Sequence, residues 1–248
     1  MVKVGALADA PVARLAALPG VSTASGVAAA AARAQATGQV LPVLPALSEL
    51  LPSGGLRRGH TVAVHGSTSL LLALLAEATA NGSWAAAVGM PHLGLVAAEE
   101  LGVEVSRLAL VPRPGAEFAS VTAALLDGMD LVAVDPSVTG RAGGPVPQLA
   151  RKLSARARHR GAVLLSLGSW TGAEVELRCV TGSWTGLAAG YGHLRARQVA
   201  VRVGGRRVAP RPGQDELMLP GHGGAVAPAT GRAAEPVAGP DWANAGAG

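Results

Sequence analysis

Aromatic side chains are almost missing: Phe, Tyr and Trp make up 2% of the 248 residues. Hydrophobic residues still reach 49%, so a sizeable core is possible, but it has to be built from Ala, Val and Leu. The single cysteine, Cys179, excludes an internal disulfide and fits a cytoplasmic setting. Within a strand-like run it reads as a small buried hydrophobe. Lysine is scarce too, with Lys3 and Lys152 against 19 arginines. Beside 34 glycines, that points to a coding bias. A solvated surface tolerates Arg for Lys, whereas a phosphate site does not, because the two cations differ in geometry. No apolar run reaches the roughly 18–20 residues that span a bilayer. Asp9, Arg14 and Pro19 interrupt the Ala-rich beginning, so neither a signal peptide nor a membrane span is expected. His65 and His92 have no third ligand at any standard spacing, and no metal is expected. Ser166 and Ser169 lack the Gly-x-Ser-x-Gly context of a nucleophile elbow.

Charge is unevenly spread. Residues 1–140 carry a net −3 and residues 141–248 a net +8. The basic half permits a nucleic-acid or acidic-protein partner, or is an Arg-rich solvated surface. Strand-like and helix-like runs alternate from Thr61 to Leu167, the pattern of a parallel sheet with helices on it. The expected strands begin near Thr61, Trp84, Arg107, Leu131 and Ala162. After Ser169 the period becomes two, over Ala173–Val180 and His193–Val203, which reads as an antiparallel hairpin on the sheet edge. Residues 181–192, rich in Gly and Trp, read as its linker. The expected layout is a flexible Ala-rich arm over 1–44, a doubly wound α/β core with its hairpin over 45–209, and a disordered tail over 210–248.

One stretch organises the chain. Thr61–His65 reads as a buried strand, Gly66-Ser67-Thr68 as a tight turn, and the Leu-rich run to about Ala80 as a helix. Strand, glycine turn and helix form the frame that binds a nucleotide phosphate in P-loop proteins. Here Ser67 stands where the phosphate-binding lysine is expected, and the loop before Gly66 is too short for the usual spacers. Gly66, Ser67, Thr68 and Asp135, the last at the end of the Leu131–Val134 strand, are the candidate vestigial nucleotide residues. Each also has a purely structural reading: Ser67 or Thr68 as a helix N-cap, Asp135 as a turn residue before Pro136.

The order Leu47-Ser-Glu-Leu-Leu51, Gly54-Gly-Leu-Arg-Arg-Gly59, strand, Gly66-Ser-Thr68 and Leu-rich helix resembles the opening of a RecA-type recombinase core. Leu131-Val-Ala-Val-Asp135 looks like its Walker B strand, and residues 150–165 like the helix and strand after it. Trp184-Thr-Gly-Leu-Ala-Ala-Gly-Tyr-Gly-His-Leu-Arg-Ala-Arg197 and Gly204-Gly-Arg206 are similar to actinobacterial ImuA-prime proteins, RecA-like accessory subunits of the mutasome. The resemblance covers about 45–206 and implies a RecA-like fold. It also implies a non-catalytic adaptor in translesion synthesis and induced mutagenesis. The implied partners are an ImuB-type Y-family polymerase homologue and an error-prone DnaE-type polymerase. The implied location is cytoplasmic, associated with the nucleoid after DNA damage.

Against the recombinase pattern, Ser67 replaces the lysine, Pro91 the water-activating carboxylate, and Gly168-Ser169 the sensor. We therefore expect no ATP hydrolysis and no cofactor. A divergent DNA-dependent ATPase and a SulA-like inhibitor of cell division are the alternatives. Lys152, Arg156 and Arg160 recur at helical spacing, with Arg151 beside them. They read as a stripe for phosphates, for an acidic protein or for solvent. Arg195, Arg197, Arg202, Trp184 and Tyr191 on the hairpin are candidate partner contacts; for Trp170, Trp184 and Tyr191 core packing is the default role and an interaction surface the alternative. Leu217, Leu219 and Trp242 are candidate partner contacts in the tail.

Overall fold

The computed structural model describes residues 37–139, 145–188, 191–206, 214–221 and 223–229. In chain order the elements begin with β1 (Val40–Leu41), α1 (Pro45–Ser48), β2 (Leu56–Arg57) and β3 (Thr61–His65). Next come α2 (Thr68–Ala80), β4 (Ala85–Val88), α3 (Leu95–Glu100) and β5 (Leu108–Val111). After them come α4 (Phe118–Gly128), β6 (Leu131–Val134), α5 (Pro147–Arg160) and β7 (Val163–Leu167). The last are β8 (Val175–Ala188), β9 (Tyr191–Gly204), β10 (Gln214–Met218) and β11 (Ala227–Pro228).

Apart from the small β1–β2 pair, all strands join one sheet in the order β11-β10-β9-β8-β3-β7-β6-β4-β5. It is parallel from β8 to β5 and antiparallel from β8 outward to β11. The five parallel strands read from the sequence are all present, as is the hairpin. Their apolar runs are short and unbroken because both faces are covered. The period of two then divides each strand between two cores. Val62, Val64, Leu131, Ala133, Val163 and Leu165 face α2. Ala63, Val132, Val134 and Leu164 face α4 and α5.

Three expectations need correction. The arm was placed over 1–44. Residues 1–36 fall outside the described residues, but Leu41 and Val43 are buried in the core around α2 and β1 pairs with β2. The reason is α2 itself. Leu70–Ala76 are all buried, and a helix apolar on every side needs cover on the face turned away from the sheet. Ala98, Leu101 and Val103 pack into the same core as α2, and Leu41, Val43, Leu47, Leu51 and Leu56 join it.

The 181–192 stretch is not a linker. β8 and β9 run on as 14-residue strands, with Thr181 opposite Ala200 and Trp184 opposite Arg197. Glycine and tryptophan masked the alternation. The tail, too, does not begin at 210: β10 pairs with β9 from Gln214↔Arg202 to Met218↔Gln198. Its polar sequence hid a strand whose one inward side chain, Leu217, is 1% exposed. Leu217 and the fully buried Leu219 pack with Val199, Val201 and Leu177, so they are core residues and not free tail contacts. Trp242 falls outside the described residues.

A cut before residue 210 therefore removes core, not an appendage. Leu217→Ala should cost about 2–5 kcal/mol in urea unfolding, and truncation at 210 more. An unchanged midpoint for the truncated chain would show that β10 adds nothing to the sheet.

Candidate functional site

At the C-terminal ends of the parallel strands, β3 turns into α2 through Gly66 and Ser67. The Ser67 Oγ accepts the Leu70 N–H at 3.1 Å, an N-cap in the ordinary sense. The serine is buried, while Thr68 faces outward. A Cβ placed on Gly66 would sit 2.9 Å from the Cys179 carbonyl, so β8 closes one side of the turn. Across the sheet, a Cβ on Gly89 would meet the Asp135 carbonyl and the Val138 side chain, each at 2.8 Å. Asp135 itself caps its own turn, its Oδ1 accepting the Ser137 N–H at 2.9 Å. The cavity left between Thr68, Met90, Pro91, His92, Leu93, Asp135 and Leu167 measures about 130 Å³. Sites for small molecules and cofactors usually measure roughly 300–1,000 Å³. The sequence placed Gly66, Ser67, Thr68 and Asp135 at one end of the sheet, and the structure brings Thr68 and Asp135 to one pocket.

His65, just before the turn, has an Nε2 that is buried without a hydrogen-bond partner. It lies 3.9 Å from Glu176. Burial, and then the Arg178 charge, hold its pKa below the ordinary 6.5, with Glu176 pulling the other way. Among the described residues, no group of three or more His, Cys, Asp or Glu side chains is placed to hold a metal.

The helical stripe is only partly available. Arg156 forms a bidentate pair with Asp127 of α4, at 2.7 and 2.5 Å, and the Arg160 Nε donates to the same carboxylate at 3.0 Å. Held first by the Arg156 hydrogen bond, the Asp127 carboxyl has a pKa lowered to about 2. It stays ionised at neutral pH, and two of the three stripe cations are occupied within the protein. Only Lys152 has no ionic partner among the described residues. Sequence spacing found the stripe but not Asp127, which lies on another helix.

The hairpin gathers most of its predicted residues. β8 touches β3 only from Val175↔Val62 to Arg178↔His65, and β10 with Leu219 and Pro220 after it covers β9 from Arg197, whose N–H and carbonyl bond Pro220 and Leu219, to Arg202. The remainder projects as a two-stranded ribbon of about 20 Å, at roughly 3.3 Å per residue. Near its tip the pairing is irregular between Thr185 and Leu187. Gly186 and Gly192 have φ of +107° and +109°, and a Cβ on either would run into the other strand's backbone. The Arg197 guanidinium lies 5.8 Å from the Trp184 ring centroid and over Gly182. Tyr191 is 73% and Leu187 60% exposed, and Leu194 is exposed beside them.

Residues 177–214 contain no Asp or Glu, so the ribbon is basic without internal compensation. Arg202 does not belong to this cluster, since it sits on the sheet, bonded to Gln214 at 2.9 Å. Trp170 takes the core-packing role expected of it: it is buried, its indole N–H donating to Ser154 Oγ at 2.9 Å.

The MT3502 N-terminal domain family model matches residues 49–172 of this chain. The chain belongs to that family. The MT3502 N-terminal domain thus runs from the end of α1 through β7 and stops before the hairpin, so the projecting ribbon lies beyond it. The uncharacterized protein Rv3395c of Mycobacterium tuberculosis is 44% identical over 133 residues, which is 52% of this chain and 63% of that protein. The match therefore spans less than two thirds of that relative's length.

Two outcomes follow from the turn. Ser67→Ala should destabilise the fold by about 1 kcal/mol through the lost cap, read from urea midpoints. Because the unfolded chain takes up a proton at His65 before the folded chain does, stability should fall as pH drops below 6.5. His65→Gln should flatten that part of the stability–pH curve. An equal slope in the variant would place the linkage elsewhere.

Proposed function

We propose that this protein is a non-catalytic, RecA-like adaptor in DNA-damage tolerance, which binds an ImuB-type polymerase homologue and works beside an error-prone DnaE-type polymerase. The RecA-like part is supported by the β3–turn–α2 frame at the centre of the sheet and by a β6 strand that ends in Asp135. The setting in mutagenesis rests on the resemblance of the motifs and their order. A binding role in place of catalysis is supported by the state of the phosphate turn. Ser67 spends its hydroxyl on capping α2, and the adjoining cavity is about 130 Å³. Phosphoryl transfer depends on cations aimed at the β- and γ-phosphates, and Ser67 supplies none.

The observation that carries the adaptor reading is the ribbon. An isolated two-stranded hairpin is marginally stable in water, and exposed aromatic and apolar side chains on one are a cost without a contact to fill. Aromatics and Arg are the residue types that dominate interface energetics. Trp184, Leu187, Tyr191 and Leu194, with Arg195 and Arg197, therefore form the partner-facing surface. Its basic balance favours an acidic face on the partner.

The purified chain should release no phosphate from ATP above a Ser67→Ala control, with or without single-stranded DNA. Turnover abolished by Thr68→Ala or Asp135→Ala would make the protein an ATPase. The double substitution Trp184→Ala/Tyr191→Ala should weaken capture of the ImuB-type partner at least tenfold, since hot-spot truncations cost about 2 kcal/mol or more each. The melting temperature should stay unchanged. Full capture by that variant would remove the ribbon from the interface.

A further inference from the structure

A second polar cavity, of about 290 Å³, opens at the other end of the sheet from the Thr68–Asp135 pocket. It is lined by Arg151, Ser154, Ala155 and Arg158 of α5, by Thr171 and Gly172 of the loop after β7, and by Arg206 beyond β9. Its place is set by β3, whose first residue, Thr61, donates its side-chain hydroxyl to Ser154 Oγ at 2.9 Å. Two separate chain segments, α5 and the stretch beyond β9, thus bring guanidinium groups to one hollow.

The charges within it are unequal. The Arg158 Nη2 donates to Glu174 at 2.9 Å, and the other oxygen of that carboxylate accepts the Thr61 N–H at 2.8 Å. Arg158 is thereby held in position. Arg151 and Arg206 have no acidic partner among the described residues, and the cavity keeps an excess of positive charge. A buried hydroxyl completes the lining. Ser154 is 8% exposed, and its oxygen accepts from both Thr61 and Trp170. Its own proton is spent on no described acceptor. Of the three guanidinium groups in the lining, that of Arg158 is matched by Glu174, and those of Arg151 and Arg206 are left as donors beside the Ser154 hydroxyl.

We propose that this cavity is a phosphate-binding site, taking the phosphate group of a nucleotide or of a nucleic-acid backbone on Arg151, Arg158 and Arg206, with Ser154 donating from its floor. A carboxylate is satisfied by one bidentate arginine. A tetrahedral phosphate presents oxygens in several directions, which suits cations arriving from separate segments. The wall offers no exposed aromatic face, because Trp170 is buried beneath Ser154. Recognition is therefore of the phosphate and not of a base. The site is independent of the ribbon and of the vestigial turn, so it stands or falls separately from the adaptor reading.

The test uses the full chain at low salt with two probes: inorganic pyrophosphate by calorimetry and a single-stranded oligothymidylate by fluorescence anisotropy. Arg151→Gln and Arg206→Gln should each lower affinity about tenfold or more, as expected for loss of a charge-assisted hydrogen bond. Arg113→Gln, an exposed arginine at the far edge of the sheet, should leave affinity unchanged. All three side chains are exposed, and equal melting temperatures would establish that the variants fold. Pyrophosphate binding without oligonucleotide binding assigns the cavity to a soluble phosphate. Oligonucleotide binding that pyrophosphate displaces, and that both variants lose, assigns it to a backbone phosphate. If neither probe binds the intact chain, or if Arg113→Gln weakens binding as much as the other two, the proposal is overturned.

Discussion

Helix α2 has no polar side, and the rest of the fold is arranged to keep water from it. From Leu70 to Ala76 every side chain is buried. One side of the helix lies on β3, β4, β6 and β7; the opposite side needs a second layer. Ala98, Leu101 and Val103 and the segment from Leu41 to Leu56 contribute to it, and Leu217 and Leu219 join the same core. Burial is worth roughly 25 cal/mol per Å² of apolar surface removed from water, and it is gained on the Leu and Val side chains of the strap as well as on the helix. Distant parts of the chain therefore meet around α2.

The same helix bears on the functional frame. Its first turn needs an acceptor for an unpaired backbone N–H, and Ser67 provides one from inside the chain. In a phosphate-binding turn that demand is met by the ligand. Here Ser67 meets one such group, the Leu70 N–H, the cavity beside it is about 130 Å³, and the exposed apolar side chains lie elsewhere. Exposed aromatic and apolar side chains lie on the ribbon, where the Arg197 guanidinium sits over the Trp184 ring. The MT3502 N-terminal domain comprises β3 to β7 of the sheet, and β8 to β11, with the ribbon, lie beyond it.

Charge follows a similar division. On α5, alternate arginines have different neighbours. Arg156 and Arg160 share Asp127, Arg158 is held by Glu174, and Arg151 has no counter-charge among the described residues. A helix that reads as one basic stripe is thus partly a structural brace between α4 and α5. Ion pairs of this partly exposed kind contribute little stability singly. They do decide which cations remain free to meet anything else.

Local periodicity determined the alternation of strands and helices from Thr61 to Leu167, because a strand buried on both faces needs an unbroken apolar run and its helix needs a glycine or proline to stop it. Residue identity and composition alone determined that Ser67, and not a lysine, follows Gly66 and that the second half is basic. The period-two signal of the hairpin was legible as far as Val180 and from His193. Between them, glycines that permit close backbone approach carry no side chain to alternate. Only the tertiary structure decided that Leu217 and Leu219 belong to the core, because a polar edge strand with one inward leucine looks like a tail until β9 pairs with it. Only the tertiary structure decided that Asp127 neutralises Arg156 and Arg160, and that Arg151, Arg158 and Arg206 share a cavity. Contacts between residues so far apart in the chain depend on how the helices pack across the sheet, and no local pattern records that.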